Sequence, residues 1–250
     1  MRKKLIAANW KMYKTPHQAE HFVSAFLPLV NDHARDEIVL CPPFVCLPAV
    51  IAAAHGSRVH VGGQNMYWET EGAFTGEISG PMLRALGCTH VIIGHSERRQ
   101  YFGETDDTVN LKLKSALAAG LHPIVCVGEV LAEREAGLTE QVLRQQCSKA
   151  FREISADQAA PLIVAYEPCW AIGTGKTATP ELAAEAHRVV RNEAAKAFGD
   201  EAAKALRILY GGSVKPENAK ALMSQAQIDG ALVGGASLDP KSFAAIVNCN

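Results

Sequence analysis

Eight short apolar runs punctuate the chain, at residues 5–8, 38–41, 59–61, 91–93, 124–127, 162–165, 206–210 and 231–233. Most are β-rich and continuous rather than alternating, as expected of strands buried on both faces. Amphipathic, Ala-rich stretches lie between them. The clearest covers 179–199: Thr179 can cap it, Pro180 suits the first helical position and Gly199 the end. Leu182, Ala186, Val189, Val190 and Ala197 form its apolar stripe. A second stretch covers 105–120, with Asp106 and Asp107 at the positive helix start and Leu113, Ala116 and Leu117 facing a core. A third opens at Asp239-Pro240. Eight strand–helix units predict an α/β fold, a (β/α)8 barrel of eight parallel strands forming a single domain over 1–250. A doubly wound open sheet is the alternative.

Bulk properties narrow the function. A length of 250 residues suits one barrel, and hydrophobic residues at 48% against 20% charged supply a large core. A net charge of −1 leaves no basic excess for nucleic acid or an anionic membrane, so an anionic substrate needs local backbone donors. The seven cysteines, at 41, 46, 88, 126, 147, 169 and 249, make no Cys-x-x-Cys pair, which argues against zinc and for a reducing, cytoplasmic compartment. The apolar stretch after Arg2-Lys3-Lys4 is too short for a signal peptide, and no run is long enough to span a bilayer.

The polar residues that follow the runs carry the chemistry. They are Asn9 and Lys11, Gln64 and Asn65, His95 to Arg99, Glu129, Glu167, Gly211-Gly212-Ser213 and Gly234-Gly235. The N-terminal ends of the runs show no comparable set. In a parallel barrel all C-terminal strand ends meet at one face, where such folds place their active sites. Residues 165–177 read Ala-Tyr-Glu-Pro-Cys-Trp-Ala-Ile-Gly-Thr-Gly-Lys-Thr, an acid at the root of a hinged apolar lid. Tempting motifs fail: Gly175-Lys176-Thr177 lacks a glycine at 170 for a phosphate-binding P-loop, and Gly211-Gly212-Ser213 lacks the final glycine of a nucleophile elbow. An acid–base site with backbone anion donors remains, although the paired glycines also suit plain tight turns. The connection at 62–80 is long and carries Met66, Tyr67, Trp68 and Phe74. It packs either on its own barrel or on a second subunit.

With Asn9-Trp10-Lys11, Gly94-His95-Ser96-Glu97-Arg98-Arg99, the lid rooted at Glu167 and Tyr210-Gly211-Gly212-Ser213, the sequence resembles the triosephosphate isomerase family. The likeness covers essentially the whole chain, including Gly-Ala-Phe-Thr-Gly-Glu at 72–77 and Leu-Val-Gly-Gly-Ala-Ser-Leu at 232–238. It implies interconversion of dihydroxyacetone phosphate and D-glyceraldehyde 3-phosphate through an enediol(ate), in glycolysis and gluconeogenesis, without cofactor or metal. It implies Glu167 as the carbon base, His95 as the group polarising the carbonyl, Lys11 as the cation beside the enediolate and Asn9 lining the oxygen site. Main-chain groups of Gly173, Ser213, Gly234 and Gly235 would hold the phosphate. Ser96 and Glu97 would support the site, Ser96 as the open-state partner of Glu167, while Ile172 and Leu232 wall the base. A helix starting after His95 would keep its ring neutral, as is understood for this family, and burial would raise the basicity of Glu167. The likeness also implies a homodimer in which loop 62–80 docks into the neighbour and Thr75 reaches the partner site. Cys169 stands where many relatives carry Val, making the lid potentially oxidisable, and Tyr13 replaces a smaller polar residue near the docking point. Another phosphate-binding barrel enzyme, such as a sugar-phosphate epimerase, and a barrel that has lost its chemistry are the competing readings; intact Asn9, Lys11, His95 and Glu167 speak against both.

Overall fold

The computed structural model describes residues 2–171 and 178–249. Its strands are β1 (Leu5–Asn9), β2 (Glu37–Cys41), β3 (Val59–Gly63), β4 (His90–Ile93), β5 (His122–Val127), β6 (Ile163–Tyr166), β7 (Arg207–Tyr210) and β8 (Gly230–Val233). Each pairs in parallel with the next, and β8 returns to β1 through Leu5 opposite Gly230 and Ala8 opposite Val233, so the sheet is a closed barrel. The barrel alternative is therefore the observed one. Every predicted run is a strand, although Leu162 and Leu206 stand just before β6 and β7.

Alternation along the strands separates two apolar layers. Leu5, Ala7, Val39, Cys41, Ile92, Ile124, Cys126, Ile163, Ala165, Leu209 and Leu232 fill the barrel interior. The residues between them, such as Ile6, Ala8, Leu40, Val91, Ile93 and Val164, face the surrounding helices and form the larger core. The continuous apolar runs follow from this double burial.

The helices are α1 (Pro16–Val30), α2 (Leu47–Ala54), α3 (Gly80–Leu86), α4 (Ser96–Tyr101), α5 (Asp106–Ala118), α6 (Leu131–Glu135), α7 (Thr139–Ala150), α8 (Pro180–Phe198), α9 (Asp200–Ala205), α10 (Pro216–Met223) and α11 (Pro240–Val247). Their starts are written locally. The Thr15 side chain caps α1 and Gln18 reaches back to its backbone; Thr105, Thr179 and Asp239 cap α5, α8 and α11. On α8 the buried face consists of Ala183, Ala184, Ala186, His187, Val190, Glu193, Ala194 and Phe198. Leu182 and Val189 are half-buried and Ala197 is exposed, so the stripe is rotated toward 183 and 187 from the expected one. An aromatic chain closes the barrel seam on the outside. The Trp10 and Phe22 rings lie 4.7 Å apart, Phe22 and Phe26 5.6 Å, and Phe26 of α1 meets Phe243 of α11 at 5.2 Å. Each such pair contributes about 0.5–1.5 kcal/mol beyond its area burial.

The connection after β3 divides its apolar residues. Met66 is wholly buried on its own barrel, whereas Tyr67 stacks on Trp68 at 4.0 Å and on Phe74 at 4.6 Å around an exposed tip that includes Thr75. Gly62 and Gly63 belong to β3 and Gly80 opens α3, so the loop proper is 64–79.

The N-terminal ends of the strands correct the sequence reading, which gave them no polar set. Glu37, His60, His90, His122 and Arg207 come from five different strands and gather at one end of the barrel. Arg207 Nη1 lies 2.5 Å from Glu37 Oε2, His90 Nε2 3.2 Å from Glu37 Oε1, and the His90 ring 5.0 Å from His122 and 5.7 Å from His60. Each is a single polar residue within or shortly before its own run, and only barrel closure brings them together. Burial, joined by the neighbouring histidines, lowers His90 below its ordinary value despite the pull of Glu37; burial likewise lowers His122. Elsewhere, beneath Tyr166, His187 is pushed down to about 4 by burial, with its Nδ1 2.9 Å from the Gln227 carbonyl.

These rings stay neutral in the fold while an unfolded chain would protonate them near pH 6.5, so the unfolded state binds more protons as pH falls. The stability they contribute is complete above that value and is lost below it. Urea unfolding of the wild type will therefore show stability falling with pH below about 6.5, with a slope approaching about 1.4 kcal/mol per pH unit for each such ring. His187→Gln will flatten that slope down to about pH 4. An unchanged slope in the variant would exclude His187 as a source.

Candidate active site

Strand alternation aims the site. Asn9 ends β1 on the inward side shared by Leu5 and Ala7, and Glu167 follows β6 on the inward side of Ile163 and Ala165. Gly94 turns the chain with φ of 69° after β4, and His95 then stands as N-cap of α4. A cavity of about 780 Å³ opens here, lined by Asn9, Lys11, His95, Glu167, Gly211, Gly212, Ser213, Leu232, Gly234 and Gly235. The structure thus brings eight of the expected site residues to one cavity: every one of these except Gly211 and Gly212 was in the expected set. Ile172 and Gly173 lie outside the described residues. Ser96 and Glu97 stand directly behind His95, and Thr75 is exposed on its loop, away from this cavity's lining.

Glu167 is almost entirely buried and both its oxygens are engaged. The Ser96 backbone N–H donates to Oε2 at 2.9 Å, and His95 Nε2 stands 2.9 Å from Oε1. The expected Ser96 partnership is therefore made by the main chain. The backbone around the acid is packed so tightly that two neighbours must lack side chains. A Cβ on Gly128 would lie 1.7 Å from the Glu167 carbonyl oxygen, and one on Gly211 would lie 2.8 Å from Glu167 Cγ.

The charge balance at Glu167 differs from the expectation that burial governs it. Burial does push the carboxyl upward, but His95 and the Ser96 N–H outweigh it and hold the group below the ordinary carboxylate value. His95 shows the mirror image. Burial favours the neutral ring, yet Glu167 beside it draws the imidazole above its ordinary value. The helix start acts in the opposite sense, because the Glu97 N–H donates to Nδ1 at 3.2 Å and so directs the ring's proton to Nε2, toward Glu167.

Lys11 adopts φ of 52°, a left-handed conformation rare for a side-chain-bearing residue. It is held there by its own N–H donating to Asn9 Oδ1 at 3.1 Å and by Gln64, which donates to the carbonyls of Lys11 at 2.9 Å and Cys41 at 2.8 Å. Its ammonium pairs with Glu97 Oε1 at 2.7 Å in a partly exposed position. Such a pair contributes little, about 0–1 kcal/mol, so the ammonium is cheaply redirected to an arriving anion. On the far side, Gly234 opens a 3-10 turn at 235–238 whose Ser237 N–H and hydroxyl both bond the Gly234 carbonyl. Where a Cβ on Gly235 would stand there is nothing within 4 Å, leaving the main chain open to a ligand.

The chain matches the triosephosphate isomerase family model over residues 4–250. It is 60% identical over 248 residues to the triosephosphate isomerase of Solibacter usitatus, covering 99% of this chain and 100% of that one. It is 58% identical to that of Moorella thermoacetica and 55% identical to that of Citrifermentans bemidjiense, in each case over 99% of this chain and 98% or more of the relative. The chain belongs to the triosephosphate isomerase family.

Several supports of the site were visible in the sequence only as isolated polar residues. Glu129, wholly buried, accepts from Tyr166 Oη at 3.1 Å and from Trp170 Nε1 at 2.9 Å, tying the root of the lid to the end of β5. Cys169 is pushed up to about 12 by burial and by the nearby carboxylates, which disfavours its thiolate form. Lys215, Glu217 and Ser242 also reach the cavity rim; their signal was proximity to Ser213 and to the last helix start. Among the described residues, no three His, Cys, Asp or Glu side chains are grouped to hold a metal ion.

The coupling of His95 to Glu167 is open to direct measurement. In Glu167→Gln the charge that raises the ring is gone while burial and the Glu97 N–H remain. Nitrogen NMR will show the His95 titration moving down in the variant, from above about 6.5 to below it. An unshifted titration would show that the carboxylate does not govern the ring.

Proposed function

We propose that the chain is a triose-phosphate isomerase, an intramolecular aldose–ketose isomerase that interconverts dihydroxyacetone phosphate and D-glyceraldehyde 3-phosphate. It works as one barrel domain over 1–250, in glycolysis and gluconeogenesis. The observation that carries this reading is the meeting of the Glu167 carboxylate, His95 Nε2 and the Lys11 side chain around a cavity whose far side is edged by Ser213, Gly234 and Gly235.

The chemistry follows from those groups. The substrate phosphate is held by main-chain donors near Ser213, Gly234 and Gly235, with Gly173 joining from the lid. The reacting carbons then lie between Glu167 and His95. Inserting them breaks the 2.9 Å contact that keeps Glu167 a weak base. Burial is left as the dominant influence, so the carboxylate gains basicity as it takes a proton from carbon. His95 donates from Nε2 to the carbonyl oxygen and moves protons between the two oxygens. Lys11 and Asn9 stabilise the negative charge that develops there, in surroundings from which Leu232 and Ile172 exclude water. Shielding the enediolate suppresses elimination of phosphate. No cofactor or metal is needed for these steps.

We further propose a homodimer working in the cytoplasm. Met12 is 93% exposed, and Val45, Phe74, Met82, Tyr101 and Phe102 are also exposed apolar side chains, all on segments following β1 to β4. Adjacent strands place these segments on one sector of the barrel, which suits a second copy docking there with Thr75 approaching Asn9 and His95 of its site. No described helix is long and apolar enough to cross a membrane.

Isomerisation assayed with EDTA present separates this reading from a metal-dependent epimerase and from an inactive barrel. Glu167→Gln will lower turnover by at least roughly 10²–10⁴-fold while leaving phosphate-analogue affinity nearly unchanged, because the base acts on carbon. Near-normal turnover would overturn the assignment. Thr75→Glu will weaken dimerisation in sedimentation and activity in parallel; a fully active monomer would contradict a shared site.

A further inference from the structure

A second cavity, of about 590 Å³, lies beside the proposed catalytic one, sharing Tyr13 and Leu238 with it. Its wall is the exposed face of α1, where His17 and His21 stand one helical turn apart. Their rings lie 4.3 Å apart and their Nε2 atoms only 3.1 Å apart.

We infer that His17 and His21 form a two-histidine chelate for a divalent transition metal ion of the zinc, nickel or copper class. Two imidazole nitrogens bound at about 2.0–2.1 Å and separated by the observed 3.1 Å would subtend about 98° at the metal. That angle falls between square-planar and tetrahedral, and the metal ion would replace the hydrogen bond the two Nε2 atoms now make, with the donating ring moving its proton to Nδ1 and both rings turning so that their lone pairs converge. The helix carrying the rings is already rigid. Its start is fixed by the Thr15–Gln18 capping box, and Ala19, Phe22, Val23 and Phe26 on its opposite side are buried in the core. The rotameric freedom of two rings is therefore the main ordering cost.

The surroundings leave the pair free to act. The ammonium of Lys14, which also lines the cavity, is engaged elsewhere: it donates to the Leu238 carbonyl at 2.8 Å and lies over the Trp10 and Phe22 rings. Gln18 is committed to its cap. No third His, Cys, Asp or Glu side chain among the described residues completes the set, so water fills the remaining positions and faces the cavity. The cavity's other residues, Leu238 and Pro240, follow β8. The site thus lies where α1 meets the residues after β8, with Tyr13, on the segment after β1 that borders the proposed dimer face, at its edge. Neither histidine belongs to the catalytic set.

Tag-free protein stripped with EDTA and titrated calorimetrically with each metal ion alone tests this. One saturable site per chain is expected, with copper binding more tightly than nickel or zinc and magnesium not detectably, as imidazole ligands dictate. His17→Ala and His21→Ala will each weaken zinc binding by at least about tenfold, and His55→Ala, on an exposed residue elsewhere, will not. Isomerase activity and helical circular dichroism will be unchanged in all three variants, which keeps a binding loss distinct from misfolding and from any failure of the proposed reaction. No saturable binding in the wild type, or full binding in the double variant His17→Ala/His21→Ala, would overturn the inference.

Discussion

Closure of β8 onto β1 is the constraint on which the rest of the molecule depends. A closed parallel ring has no edge strand, so each strand has a ladder partner on both sides. It also forces alternate side chains onto the axis. Leu5, Ala7, Ile163, Ala165 and Leu209 fill that axis, and the next inward position on the same strands becomes Asn9, Glu167 or Gly211. The site is the continuation of the interior core, in register, past the point where the apolar residues stop.

That placement creates an electrostatic tension at Glu167. A carboxylate cut off from water is costly, and here its charge is retained only because a backbone N–H and an imidazole meet it at 2.9 Å each. The same donors make it a poor base while they are bound. The arrangement stores the basicity that burial would confer and makes its release conditional on something entering between Glu167 and His95. The glycines at 128 and 211 are part of this device, since any side chain there would displace the acid's own backbone or stem.

The two ends of the barrel use charge differently. At the C-terminal end the ionisable groups border an open cavity, and the one firm ion pair to Lys11 is partly exposed and readily exchanged. At the N-terminal end Glu37 is bound to Arg207 and flanked by His60 and His90, in a plug that closes the interior. Function sits where the charges can be re-paired, and stability where they cannot.

Much of this was legible in the chain itself. The apolar runs are continuous because each strand has core on both sides, so the runs themselves located all eight strands, and Thr105, Thr179 and Asp239 marked helix starts because capping is a contact over three residues. The residues after the strands pointed to one face, and the long motifs around His95 and Glu167 identified the family. What the chain could not disclose depends on distances between residues remote in sequence. The polar plug of Glu37, His60, His90, His122 and Arg207 draws one member from each of five strands. Whether burial or its donors govern Glu167 turns on two contacts with residues 71 and 72 positions away, and the rotation of the α8 stripe from Ala197 to Ala183 and His187 was set by the packing around it. Local patterns are determined by neighbours along the backbone; pKa values, cavities and clusters are determined by neighbours in space, and only the closed barrel decides who those are.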